Sequence, residues 1–434
     1  MTYQELRQKY PKFIYEKSEY EIVGNNLEIK FYYSTPPDHN FVHKIIIENV
    51  PKQSTINHEQ FKYLIFQIGL SIIPSYWKST CSPIIEIKAG NLSPVQTQFW
   101  EKLFIKGMGE YYYKNQIDFT RNDFLTITSP SPKIRRGVGG EVLEKVDIKK
   151  VLVPVGGGKD SIVTLELLKS HYHVIPFIVN PVPIMANVIK TAGLEKPIVV
   201  ISEIDPYLLE LNKQGYLNGH IPLSAFYAFV SVLAANLTDT KLVAFSNERS
   251  SNEGNTTYLG QEINHQYSKS LEFETDFNLY LKSINYELST INYFSFLRPL
   301  YELQITKLFC RYSQYFKIFS SCNRNFTINP KEHPQGLWCG KCPKCVSTSL
   351  MLSCFIGKDE IIEIMGSYPP DQQFNNETVK QLLGESPIKP FECVLTRAEA
   401  QAAYTGKGLD KLLSSWMDDP NMPKEFEQIL KSAL

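Results

Sequence analysis

Apolar residues recur in two different rhythms along this chain. Before about residue 130, KIIIENV (44–50) and PIIEIKA (83–89) are β-branched runs closed by Pro51 and Gly90, and they predict strands. NHEQFKYLIFQIGL (57–70) and the aromatic-rich SPVQTQFWEKLFIKGMGEYYYKN (93–115) predict helices. Residues 1–130 therefore read as an N-terminal α+β domain. TSPSPKIRRGVGGE (128–141) interrupts the pattern with Pro, Gly and a pair of Arg, so 131–147 reads as a linker. The alternative is a mobile loop that carries Arg135 and Arg136 over a phosphate-bearing substrate.

From Val151 the rhythm changes. VLVPV (151–155), VIPFIV (174–179), PIVVIS (197–202) and KLVAFS (241–246) are short, nearly continuous apolar runs. Helical patterns separate them: DSIVTLELLKS, PIMANVIKTAG, YLLELNKQG and PLSAFYAFVSVLAANL. This alternation predicts an α/β fold with a doubly wound parallel sheet over residues 148–355. After residue 356 the chain turns polar and helical, which predicts a small helical C-terminal region over 356–434.

Composition narrows the picture. Hydrophobic residues make up 43% of the 434 residues and charged residues 21%, enough apolar surface for real cores. Lys+Arg and Asp+Glu both number 45, and this balance argues against a dedicated nucleic-acid partner. No run reaches the roughly 18 apolar residues of a membrane span. MTYQELRQKYPKF lacks a signal-peptide core, so the protein is expected to be cytoplasmic and free of the membrane.

Two motifs carry chemistry. VLVPVGGGKDSIVTLELL (151–168) runs from a strand through three glycines into a helix. Ligands of such sheets bind at the carboxyl ends of strands. Bare glycine backbone and free amides at a helix start suit an anion. Lys159 adds charge, Ser161 a hydroxyl, and Asp160 is placed to bind a cation. The loop lacks the spacing of GxxxxGK[ST] and the third glycine of GxGxxG. In the second motif sixteen residues separate Cys322 from the CxxCxxC of Cys339, Cys342 and Cys345. Four thiolates close a tetrahedral zinc shell, and a closed shell is structural. An iron–sulfur cluster is the alternative.

GGGKDS resembles the SGGxDS loop of the PP-loop ATP pyrophosphatases, with Gly156 in place of the family's Ser. The loop together with the cysteine knot resembles the cyano-deazaguanine synthases over about residues 150–350. SNERSSNEGN (246–255), NHQYSKSLEFE (264–274), SYWK (75–78), FW and KGMGEYYYKN (99–115) and KPFEC (389–393) extend a second resemblance over nearly the whole chain. It is to the ATP-dependent UDP-N-acetylmuramoyl-L-alanyl-L-glutamate epimerases of peptidoglycan synthesis. That resemblance implies an acyl-adenylate route: ATP activates the terminal L-Glu carboxylate, the α-carbon is inverted, and AMP and pyrophosphate are released. The expected cofactors are ATP and Mg2+, with Zn2+ in the knot. The expected small-molecule partner is the nucleotide-sugar dipeptide, its uridine end held by the N-terminal domain.

Gly156, Gly157, Gly158, Lys159, Asp160 and Ser161 are assigned to the ATP phosphates. Asn247, Glu248 and Arg249 are assigned to the nucleotide or the acceptor carboxylate. His265 is the first candidate base, since imidazole titrates near the working pH. Glu272, Glu274 and Cys393 are alternatives. Lys269 and Arg298 are candidates to stabilise developing negative charge or to bind the substrate diphosphate. Competing functions are another PP-loop adenylation (amidation, nitrile formation or tRNA thiolation) and non-catalytic ATP binding.

Overall fold

Gly24 and Asn25 form a two-residue turn that folds the N-terminal segment back on itself, with Gly24 at a φ of 65°. Strands Lys12–Val23 and Asn26–Thr35 flank the turn, Val23 facing Asn26 in antiparallel register. The computed structural model describes residues 1–50, 58–130, 149–284, 290–327 and 330–434. The expected linker 131–147, with Arg135 and Arg136, lies outside the described residues.

The chain gathers into two units, the first drawn from Met1–Val151, Ile198–Leu242 and Asp276–Ile291. Here strand His39–Ile47 joins Asn26–Thr35 antiparallel, burying His39, Phe41, His43, Ile45 and Ile47 on one face. Strands Ile84–Ile87 and Thr126–Thr128 add in parallel beyond Lys12–Val23. Ile198–Glu203 runs antiparallel to His39–Ile47, with Lys44 opposite Glu203. The antiparallel strands of the N-terminal segment thus make the sheet mixed rather than purely parallel. An apolar run declares a buried strand but not its direction, which its partner sets.

Helix His58–Trp77 packs on Leu223–Leu237, which is apolar nearly all round and almost wholly buried. The expected helix over 93–115 breaks at Met108 into Pro94–Gly107 and Gly109–Lys114. Ser93 starts the first piece through a capping box with Gln96. Its Trp100 donates from Nε1 to the hydroxyl of Tyr280 at 2.7 Å, within an aromatic core that also holds Phe99 and Phe229.

The second unit comprises Leu152–Pro197, Val243–Thr275 and Asn292–Leu434. Its strands lie in the order Asn292–Ser295, Leu242–Phe245, Lys150–Pro154, His173–Val179, and the middle two are parallel with Leu152 beside Val243. Helix Lys159–Leu168 packs against Glu302–Phe309 and against Lys424–Ala433. Leu303, Val346, Leu350, Leu382, Val394 and Ala400 bring the helices after residue 343 into one apolar cluster. The class is α/β with helices around a mixed sheet. No helix among the described residues is long and apolar enough to cross a membrane.

Candidate functional site

The residues assigned to the phosphates, to catalysis and to the cysteine knot all fall in the second unit. Strand Lys150–Pro154 delivers Gly156–Gly158 to the start of helix Lys159–Leu168. Gly157 has a φ of +82°, and a Cβ there would lie 2.5 Å from Ile184 Cγ2. A Cβ on Gly158 would lie 2.8 Å from Ser321 Oγ, whereas one on Gly156 would meet nothing within 4 Å. The loop is thus closed to side chains at its second and third positions and open at its first. Gly158 caps the helix without a side chain, and the first-turn amides have no intrahelical acceptor. Ser161 Oγ donates back to the Gly158 carbonyl at 3.0 Å.

Lys159 points inward and is only 2% exposed. Its ammonium sits 2.5 Å from Asp160 Oδ1 and also bonds Glu302 Oε2. Burial opposes its charge, but the two carboxylates more than offset that and raise its pKa. Glu302 heads helix Glu302–Phe309 and is equally buried. Burial raises its pKa, Lys159 pulls it back, and Asp160 and Glu248 add to the rise. Oxygens of Asp160, Glu248 and Glu302 lie within 4.8 Å of one another. Three carboxylates around one ammonium leave excess negative charge, and this donor set could hold a hard divalent cation.

The loop after strand Leu242–Phe245 is held from beneath by Arg298, which is wholly buried. Arg298 Nη1 donates to the Glu248 carbonyl at 2.8 Å and to Ser251 Oγ. Nη2 donates to the Lys269 carbonyl and pairs with Glu274 Oε2 at 3.3 Å. Arg298 and Glu274 thus face each other inside the protein. Asn247 Nδ2 donates to Ser295 Oγ at 2.9 Å. Arg249 lies over the Tyr301 ring at 4.1 Å and donates to Ser415 Oγ at 2.8 Å. Glu272 is on the exposed face of helix Leu271–Ile284.

His265, Lys269 and Cys393 do come together. Asn255, which is 2% exposed, stitches their segments. Its Oδ1 accepts from the His265 amide at 2.8 Å, its Nδ2 donates to the Pro390 carbonyl at 2.7 Å, and its carbonyl accepts from the Lys389 amide at 2.9 Å. Cys393 is thereby brought to 3.0 Å from Lys269 Nζ. Burial pushes the Cys393 thiol up, but Lys269 and then His265 overcome it and bring its pKa down to about 6. Burial likewise opposes the Lys269 charge, and Cys393, Glu248 and Asp160 raise its pKa. The thiolate–ammonium pair therefore shares a field with the carboxylates of the glycine loop.

The four knot cysteines are all free thiols, with Sγ–Sγ separations of 3.5 Å (Cys342–Cys345), 3.8 Å (Cys339–Cys345) and 3.9 Å (Cys322–Cys342). Thiolates about 2.3 Å from a tetrahedral zinc would lie about 3.8 Å apart, so the set fits that ion. Amides of Lys341 and Cys342 donate to Cys339 Sγ at 3.4 and 3.3 Å, and Gly340 makes the turn at a φ of +67°. The knot reaches the glycine loop directly. The Ser320 amide donates to the Gly157 carbonyl at 3.1 Å, and Ser320 Oγ accepts from the Cys322 amide at 3.0 Å.

Sequence reasoning missed Glu302 and Ser320. A single Glu at the head of a short helix, 143 residues from Lys159, gives no local signal.

Residues 4–296 match the family described as the MurL N-terminal domain, and residues 318–431 the MurL C-terminal domain. The chain is 34% identical over 349 residues to the UDP-N-acetyl-alpha-D-muramoyl-L-alanyl-L-glutamate epimerase of Xanthomonas oryzae pv. oryzae, covering 80% of this chain and 74% of that protein. It is 35% identical over 321 residues to the Micromonospora protein of the same name, covering 73% of this chain and 68% of that protein. For the Salinispora tropica protein, also so named, the identity is 33% over 360 residues, 83% of this chain and 75% of that one. No solved structure matches the chain.

Proposed function

Because the chain belongs to the MurL family of epimerases, we propose that it inverts the glutamate α-carbon of the peptidoglycan precursor UDP-N-acetyl-alpha-D-muramoyl-L-alanyl-L-glutamate, with ATP consumed through an acyl-adenylate. A free carboxylate resists loss of its α-proton, because the carbanion would place negative charge beside negative charge. In the proposed route a substrate carboxylate oxygen attacks the α-phosphorus of ATP and pyrophosphate leaves. The resulting mixed anhydride acidifies the α-proton. Cys393 as a thiolate takes that proton, a solvent-derived proton reaches the opposite face of the enolate and inverts the centre, and the Cys393 thiol then returns its proton to solvent. Water then releases AMP and the D-Glu product.

The glycine loop Gly156–Gly158 and the amides of Lys159, Asp160 and Ser161 receive the phosphates, as in a PP-loop enzyme. Magnesium at Asp160, Glu248 and Glu302 would neutralise the triphosphate, and zinc in the four-cysteine knot would be structural. The single observation that supports this route best is the contact of Lys269 Nζ with Cys393 Sγ at 3.0 Å. Lysine keeps the cysteine ionised near neutral pH, where a general base works best.

The test is incubation of the full chain with ATP, magnesium and the L-Glu substrate in deuterated water. AMP, deuterium at the glutamate α-carbon and D-Glu on hydrolysis are expected together. AMP without deuterium would overturn the epimerisation, and absence of AMP would overturn the adenylate. Cys393→Ala should keep ATP–pyrophosphate exchange while deuterium incorporation falls about 100-fold or more.

A further inference from the structure

In the first unit, Lys78 ends the SYWK segment just after helix His58–Trp77. Its surroundings are fixed rather than floppy. Tyr111 donates its hydroxyl to the Lys78 carbonyl at 2.7 Å. Asn115 Nδ2 donates to the Tyr111 carbonyl at 2.8 Å and to the Asn218 carbonyl at 3.0 Å, tying the following loop to helix Gly109–Lys114. Gly219 lies so close that an added Cβ would be 3.1 Å from Tyr111 Cδ2. Into this frame Lys78 sends its ammonium, which donates to the Gly219 carbonyl at 3.2 Å. The next residue, His220, has Nδ1 at 3.9 Å from Glu110 Oε2, and Glu110 is ion-paired with Lys114.

Lys159, buried elsewhere in the chain, and Lys269, half-buried, each face an anionic side chain. Lys78 has no carboxylate partner among the described residues, and burial pushes its pKa down to about 8. Lys78 is half-buried, and a cation partly drawn out of water without a counter-ion is stabilised when an anion joins it. We propose that Lys78 and the Gly219–His220 loop bind an oxyanion of the substrate. The anion is a phosphate of the uridine diphosphate or a carboxylate of the dipeptide, an identity that rests on the proposed substrate. One neutral carbonyl occupies the ammonium, which has three donors to offer.

Reductive 13C-methylation of the full chain gives each lysine a resonance, and Lys78→Arg identifies that of Lys78. The resonance should titrate near pH 8 in the free protein. UDP should raise that midpoint by about one unit or more if the anion is the diphosphate, and L-alanyl-L-glutamate if it is a carboxylate. No shift with either ligand overturns the proposal. In turnover, Lys78→Met should raise KM for the nucleotide-sugar dipeptide about tenfold with kcat little changed, and Lys78→Arg should largely restore it. An unchanged KM in folded Lys78→Met overturns the anion site and leaves the epimerase reading standing. A wild-type chain that makes neither AMP nor D-Glu overturns the epimerase reading, while the resonance shift still decides the anion site.

Discussion

Replacing Lys269 with Met removes the charge that holds Cys393 ionised. At 3.0 Å the pair attracts with about 5.5 kcal/mol at an effective dielectric of about 20, equivalent to about 4 pH units. Cys393 titrates at about 6 against an ordinary 9.0, with burial already working against it. Without Lys269, burial dominates, and the thiol should titrate at or above about 9. The assay is alkylation by iodoacetamide across pH 5 to 10, with the Cys393 peptide followed by mass spectrometry. The pH of the inflection must be read rather than the rate at one pH. A thiolate of higher pKa is a stronger nucleophile, with a Brønsted slope of about 0.4–0.5, and this masks much of the change. Cys81, Cys354 and Cys310 react late, because burial pushes Cys81 and Cys354 up to about 11 and Cys310 up to about 12. Stability follows with a defined sign. Between pH 6 and 9 the unfolded wild type holds the Cys393 proton and the folded one does not, so stability rises with pH across that window. That rise should be absent from Lys269→Met. An inflection remaining below pH 7 in the variant would refute the pairing.

Gly157→Ala forces a side chain onto a φ of +82° and within 2.5 Å of Ile184, so it should cost about 1–3 kcal/mol in a thermal melt and abolish ATP binding. Gly156→Ser enters open space and should leave the melting temperature unchanged and ATP binding intact. Arg298→Met strands Glu274 as a buried, uncompensated charge and should cost about 3–5 kcal/mol in urea unfolding. Chelating the knot metal should weaken ATP binding along with the melting temperature, because the Ser320–Gly157 bond ties the two sites; metal analysis alongside ATP titration checks this.

Local signals were the readable ones. The glycine loop and the spacing of Cys322, Cys339, Cys342 and Cys345 each lie within a short window, and the structure gathers both as clusters. The hairpin over Lys12–Thr35 was not foreseen, because the outer half of Lys12–Val23 alternates charged and exposed positions with no buried face. The antiparallel pairing of Ile198–Glu203 with His39–Ile47 was hidden too, since the partner lies far away in the chain. At the candidate site, Cys393 could be named from KPFEC, but its ionisation depends on Lys269, 124 residues away. Arg298 looked like a substrate ligand by charge alone. In the fold its guanidinium bonds Glu248, Ser251, Lys269 and Glu274.

The second unit is assembled from three separated stretches of chain, and that sets a timetable during synthesis. Lys159 leaves the ribosome 143 residues before Glu302, a wait of roughly 7–30 s at about 5–20 residues per second. Until then a lysine destined for the interior lacks one of its two counter-charges, and the helix that carries it lacks the partner it packs on. The last piece comes later still. Phe426 is wholly buried against Tyr172 and Phe294, with ring centroids 4.6 Å away in both pairs. A chain that stops before Phe426 keeps every candidate site residue yet leaves those aromatic faces bare. Such a truncation should reveal itself first as aggregation of newly made protein and dependence on chaperones, before any defect in chemistry can be measured.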